Sequence, residues 1–172
     1  MNMTGSLSDL AAWTPSGQCS IARALRVVGT RSAMLIVREA CYGTTRFDDF
    51  SRRVGMTDAS TAARLKELVS VGVLAKQPYR PDKGRARQEY VLTQMGEDLL
   101  PVVIALMQWG DKYLHQGTGP LTVVDPTGSE VRVSITDPDG TVVPMSDLSV
   151  RSEPHLRDSA PAEPPVVPVA PL

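Results

Sequence analysis

The sequence predicts a mainly helical fold carrying one β-hairpin, and three observations predict it. Apolar residues recur at helical spacing in separate stretches between residues 20 and 115. A turn-forming, basic run, Arg80-Pro-Asp-Lys-Gly-Arg85, lies between two short strand-like stretches. Gly43, Gly55 and Gly72 stand where three of the helical patterns stop, as residues that end helices do. On this reading residues 1–18 form an N-terminal arm and residues 19–116 the main domain. Residues 117–151 form a small β-rich appendage, and residues 152–172 a disordered tail.

In chain order, Ser6-Leu-Ser-Asp9 starts a short amphipathic helix through Leu10 and Trp13, which Pro15-Ser-Gly17 breaks. Ser20 to Val28 is a second helix, with Ile21, Ala24, Leu25 and Val28 at i, i+3, i+4 and i+7. Arg31 to Tyr42 is a third, and its Met34-Leu-Ile-Val37 run reads as buried on most sides. Thr45-Arg-Phe-Asp48 has the form of a capping box with Asp in place of Glu, opening a helix from Arg46 to Arg53. Phe47 and Phe50 point inward from it.

Gly55 then turns the chain into the stretch 57–71. Thr57 suits an N-cap, and Asp58 places a negative charge where the helix dipole favours one. Thr61, Ala62, Leu65, Leu68 and Val69 share the face that packs on a core. Ala59, Ser60, Ala63, Lys66 and Ser70 face outward with Arg64 at the flank. Two short helices joined by a tight glycine turn form a helix-turn-helix. The strands 73–79 and 87–92 follow directly, so the hairpin between them is the wing of a winged helix-turn-helix. Thr93 caps one long helix to about His115, bent at Pro101. Its apolar residues cover more than one stripe, which calls for a partner subunit over Leu106, Trp109 and Tyr113.

Beyond Gly117, residues 121–124, 131–135 and 141–143 read as short strands joined by the turns Asp125-Pro-Thr-Gly and Asp137-Pro-Asp-Gly. No internal repeat is evident. Six of the 21 residues from Ser152 onward are proline, a composition that cannot bury a core.

A net charge of −1 over 172 residues hides a split. Residues 23–87 hold 14 basic and 6 acidic side chains, whereas residues 121–172 hold 3 and 8. A concentrated positive segment inside an acidic chain is the footprint of a polyanion partner. Small, hydroxylated residues near a helix start enter a DNA major groove without clashing, so Thr57, Ala59, Ser60 and Ala63 are candidate DNA-binding residues, with Ser60 and Ala63 as the base-edge candidates. Arg64 and Lys66 are candidate phosphate contacts, and the wing residues Arg80, Lys83, Arg85 and Arg87 are candidates for phosphate or minor-groove contact. Solvated surface charge is the plain alternative for each. No glycine-rich phosphate loop, nucleophile elbow or His–carboxylate cluster appears, so neither catalysis nor a metal or other cofactor is expected. No apolar run approaches the ~20 residues of a membrane helix, no secretory signal is evident, and Cys19 and Cys41 form no disulfide framework. These features suit a reducing cytoplasm without membrane association.

The order of pieces resembles the HxlR-type transcriptional regulators, bacterial winged-helix proteins related to the MarR group. The resemblance runs from Cys19 to about Tyr113. It rests on Cys19-Ser-Ile-Ala-Arg-Ala-Leu25, Val28-Gly29, Leu35-Ile-Val-Arg-Glu39, Gly43-Thr-Thr-Arg-Phe47, Arg64-Leu-Lys-Glu-Leu68, Gly72-Val-Leu74, Glu89-Tyr-Val-Leu-Thr93, Gly96 and Trp109-Gly110. It implies a homodimer on operator DNA, held by its first and last helices, so Leu10 and Trp13 join Leu106, Trp109 and Tyr113 as interface candidates. Cys19 stands where some of these regulators carry an oxidant- or electrophile-sensing thiol. The sequence departs from the pattern at Ser32, usually tryptophan, Ala59, often basic, and Thr61, usually leucine. The expectation is a dimeric repressor on double-stranded DNA, with an effector that the sequence does not identify. The alternative is a winged-helix protein-interaction module without specific DNA binding.

Overall fold

The computed structural model describes residues 2–4, 19–80 and 86–151. In order, these hold β1 (Asn2–Thr4), α1 (Ser20–Val28), α2 (Arg31–Cys41), α3 (Phe47–Val54), α4 (Asp58–Ser70), β2 (Leu74–Tyr79), β3 (Arg87–Leu92), α5 (Gln94–Glu97), α6 (Leu100–Leu114) and β4 (Ser149–Arg151). The described residues divide into two units, one of residues 2–4, 19–23 and 133–151, the other of residues 24–80 and 86–132. The expected helix through Leu10 and Trp13 and the tail from residue 152 lie outside the described residues.

The larger unit holds the core. Ile36 and Val37 of α2, Phe50 of α3, and Leu65 and Leu68 of α4 are fully buried, with Val73 and Leu74 at the start of the hairpin. α2 packs against α3, α4 and α6, so the central apolar run of the sequence becomes the central helix of the fold. β2 and β3 pair antiparallel from Leu74↔Leu92 to Tyr79↔Arg87. This is a winged helix.

Helix ends explain the tight joints. Gly72, at φ 81°, follows the last turn of α4. Its N–H donates to Val69 O at 3.1 Å, and the Val73 N–H donates to Leu68 O at 3.0 Å. This Schellman closure satisfies two orphan carbonyls and delivers Val73 straight into the core. Gly55, at φ 70° and ψ 38°, ends α3 in the left-handed conformation, which a side chain would strain.

Several boundaries differ from the sequence reading, each for a local reason. Thr45 does not cap α3; Arg46 takes the N-cap position without a side-chain cap bond. The backbone of Thr45 is drawn away because its carbonyl accepts the Tyr90 N–H of the wing at 2.8 Å. Ala62 is exposed and Val69 only half-buried, so the inward stripe of α4 narrows to Thr61, Leu65 and Leu68. The long last helix is two helices, α5 and α6. Pro101 sits in the first turn of α6, where its missing N–H costs nothing, so the chain breaks before it rather than bending around it. α1 buries only Val28, while Ile21 and Leu25 remain 71 % and 57 % exposed.

The expected strands after Gly117 shrink to single bridges, Val124↔Glu130 and Thr136↔Val142. They reveal a repeat that the sequence reading missed. In each hairpin a proline follows an aspartate, whose Oδ1 accepts amides two and four residues on: Thr127 and Ser129 for Asp125, Asp139 and Thr141 for Asp137. Gly128 and Gly140 take φ 86° and 83° in the two turns. The Thr127 hydroxyl, which donates to Asp125 at 2.6 Å, and the neighbouring amides hold the Asp125 carboxyl below the usual carboxylate range. The first hairpin belongs to the larger unit, and Gln108 Nε2 of α6 donates to its Val131 carbonyl at 2.9 Å. The second belongs to the smaller unit, where β1 also pairs parallel with β4. No helix among the described residues is long and apolar enough to cross a membrane.

Thr61 is fully buried on the inward face of α4, and its Oγ1 has no hydrogen-bond partner. A buried hydroxyl without a partner costs on the order of 1–3 kcal/mol. Thr61→Val keeps the shape and removes the hydroxyl. It should raise the free energy of unfolding in urea by roughly 1 kcal/mol with an unchanged denaturant slope; a loss of stability would mean that the hydroxyl is bonded in solution.

Candidate nucleic-acid interface

The helix-turn-helix is locked by one serine. Ser51 in α3 accepts backbone N–H bonds from Gly55 and Met56 at 3.0 and 3.2 Å. Its hydroxyl reaches Met56 O at 3.0 Å and the Asp58 carboxylate at 2.6 Å. Ser51 thereby ties the end of α3 to the first turn of α4. Thr57 caps α4, its Oγ1 accepting the Ser60 N–H at 3.3 Å. These bonds aim the N-terminus of α4 outward.

Ala59, Ser60, Ala63 and Lys66 are all exposed on α4, as the helical spacing requires. Thr57 is exposed as well, although its hydroxyl is engaged with Ser60. Arg64 is half-buried and ion-paired to Glu67 one turn on, so that acid competes with any phosphate for it. In the wing, Arg80 and Arg87 are exposed near the tip. Lys83 and Arg85 lie outside the described residues.

A residue absent from the sequence-based candidates joins the two halves. The Arg46 guanidinium lies over the Tyr79 ring at 3.1 Å and pairs with Glu89 at 3.3 Å. Arg46 opens α3, Tyr79 ends β2 and Glu89 lies on β3, so one cation links the helix-turn-helix to both wing strands. Phe50 meets Tyr90 edge-on with ring centroids 6.3 Å apart. The sequence signal was an Arg-Phe pair before one helix and a Tyr at the mirrored wing position. Only the β-register could match them.

The other candidates occupy separate places. Cys19 is half-buried just ahead of α1, and its carbonyl accepts the Arg23 N–H at 3.0 Å. Burial pushes the Cys41 thiol above its usual range, which disfavours the reactive thiolate. Leu106, Trp109 and Tyr113 on α6 are more than half exposed, and the Trp109 and Tyr113 rings sit 5.5 Å apart. Leu10 and Trp13 lie outside the described residues.

Replacing Arg46 by Met keeps the apolar stem and removes the charge that holds Tyr79 and Glu89. Amide hydrogen exchange at Tyr90 should accelerate several-fold in Arg46→Met while the α2 amides stay protected. Equal protection of Tyr90 in both proteins would show that the backbone pairing alone holds the wing.

A family model described as HxlR-like helix-turn-helix matches residues 27–118. Over 101 residues the chain is 44 % identical to the HTH-type transcriptional regulator Rv3095 of Mycobacterium tuberculosis, whose function is uncharacterised. That match covers 59 % of this chain, which spans 63 % of the relative's length. The crystal structure of PA1607, described as a candidate transcription factor, superposes with a TM-score of 0.67 at 35 % identity, covering 78 % of this chain and 95 % of that one. The redox regulator HypR in its oxidised form is similar at a TM-score of 0.50 and 26 % identity, covering 55 % of this chain and 96 % of that one. With its helix-turn-helix, its wing and helices α2 to α6 inside the matched span, the chain belongs to the HxlR-like helix-turn-helix family.

Proposed function

We propose that this protein is a dimeric transcriptional regulator that occludes promoters by binding duplex DNA in the cytoplasm. The observation that carries this reading is the pairing of a capped, outward-aimed α4 with a wing braced by Arg46. The exposed start of α4 is small and hydroxylated, which suits a major groove. The exposed arginines of the wing suit phosphates or a minor groove. The relatives named as transcriptional regulators support the same reading.

Two copies are needed for a stable half-site pair, and α6 supplies a surface for pairing. Val102, Trp109 and Tyr113 stand on one exposed face of α6, a patch that a monomer would leave in water. The interface also includes Leu106 and, from the arm, Leu10 and Trp13. Dimerisation would set two α4 helices about 34 Å apart, one turn of DNA. Residues 19–116 act as the DNA-binding and pairing domain in this reading, with residues 117–151 appended to it. Cys19 serves as an oxidant-responsive thiol, a reading supported by the likeness to a redox regulator and by its place at the start of α1.

Fluorescence anisotropy on duplexes selected from a random library tests the regulator reading. Affinity should fall steeply with salt, and Arg87→Ala should flatten the logarithmic slope by about one unit on specific and random DNA alike. Ser60→Trp should weaken the selected duplex more than a random one. No binding at low salt would sink the proposal and favour a protein-interaction module.

Leu106→Glu with Trp109→Glu should convert a wild-type dimer into monomers that bind the duplex weakly. A monomeric wild-type mass at micromolar concentration would count against pairing. Diamide should release the selected duplex from wild type and Cys41→Ser but not from Cys19→Ser; release from all three would exclude Cys19 as the switch.

A further inference from the structure

Behind the helix-turn-helix, α2 and α6 leave a cleft of about 500 Å³, the size of a small-molecule site. Met34 of α2, Tyr42 just after it, and Val103 and Met107 of α6 form its apolar walls. Pro120 and Leu121 also line it, and both lie beyond the span 27–118 that the family model matches. This part of the lining is a property of the chain's own continuation past α6.

The return of the chain to the cleft has a visible cause. The Gly117 N–H donates to Asp111 O at 2.8 Å, ending α6. A Cβ on Gly119 would fall 1.9 Å from Asp111 Oδ1, so the carboxylate fills the space that a side chain would need. The absent side chain lets the backbone fold back and bring Pro120 and Leu121 to the lining of the cleft.

The polar lining is unequal. Glu39 is 4 % exposed. Its Oε1 accepts from Arg38 Nε and Nη2 at 3.2 and 2.6 Å. Its Oε2 accepts the Thr44 hydroxyl at 3.4 Å and faces Arg53 Nη1 at 3.5 Å. Four contacts exhaust one carboxylate, while two guanidiniums share its single charge. Arg38 and Arg53 therefore carry N–H donors that Glu39 does not use. Asp111, the other acid of the lining, is packed over Gly119, and His115 is exposed.

We propose that this cleft binds a small organic carboxylate with a ring-sized apolar body. The head accepts the N–H donors of Arg38 and Arg53 that Glu39 leaves unused, and the body lies on Met34, Tyr42, Val103 and Met107. Leu106 lines the cleft and also belongs to the proposed pairing surface, so the site borders that surface, whereas Trp109 and Tyr113 lie outside its lining.

Calorimetric titration of the full chain without DNA tests this, using 2-naphthoate, 2-naphthol and 2-naphthylmethylammonium as matched probes. Naphthoate should bind at least about tenfold more tightly than the other two. A Cβ on Gly110, which lines the cleft, meets nothing within 4 Å. Gly110→Leu should therefore fill the cleft and abolish naphthoate binding while melting no lower than wild type. Arg53→Gln should cost naphthoate about tenfold and leave naphthol unchanged. Equal affinity for the three probes, or undiminished naphthoate binding in Gly110→Leu, would overturn the proposal. A protein that binds naphthoate but no duplex would lose the regulator reading alone.

Discussion

Phe50 is the side chain on which the winged half of this protein depends. It is fully buried on α3, among α2 and α4, and its ring meets Tyr90 of β3 edge-on. Tyr90 in turn donates its amide to Thr45, at the entrance to the same helix. A buried aromatic thus closes a loop of contacts, from α3 to the wing and back, in which each contact holds the others in place. Arg46 extends the loop to the surface, where its charge spans Tyr79 and Glu89. The pitch of the wing relative to α4 follows from these few contacts and not from the hairpin itself. An isolated two-stranded hairpin is only marginally stable.

The second constraint is the economy of the joints. α2 and α4 each end in a left-handed glycine with paired Schellman bonds, and Ser51 bridges the turn between α3 and α4. Such closures let helices of 8 to 13 residues follow one another without loops that would need their own packing. Short joints explain how a core of modest size holds four helices and a hairpin. They also explain why polar side chains such as Ser51 and Thr93 carry more of the architecture than their exposure suggests. Thr93 caps α5 while its hydroxyl donates to the Gly72 carbonyl, tying the exit of the wing to the end of α4.

The region beyond α6 is built on a different principle. Two Asp-Pro turns, twelve residues apart, close almost identical hairpins with little apolar burial. They are held by amides bonded to an aspartate, an arrangement that needs no core. The first is tied to α6 through Gln108 and Val131. The chain between them and α6 supplies Pro120 and Leu121 to the cleft, which makes a segment outside the family span part of the domain's interior surface.

Much of this was determined by the sequence alone. Helical spacing and turn residues specified α1 to α4, the wing and the outward face of α4, because local periodicity and helix-ending glycines act over a few residues. The repeat of Asp125-Pro-Thr-Gly-Ser and Asp137-Pro-Asp-Gly-Thr was equally legible and was overlooked, because two short turns look like ordinary punctuation until their hydrogen bonds are compared. Tertiary structure decided the rest. The break before Pro101, the displacement of the α3 cap from Thr45, the wing brace of Arg46 and the charge sharing at Glu39 all join residues from different elements. Each depends on a strand register or a helix crossing that brings distant side chains within hydrogen-bond reach. No local pattern encodes that distance, because it is set by how the buried faces fit together.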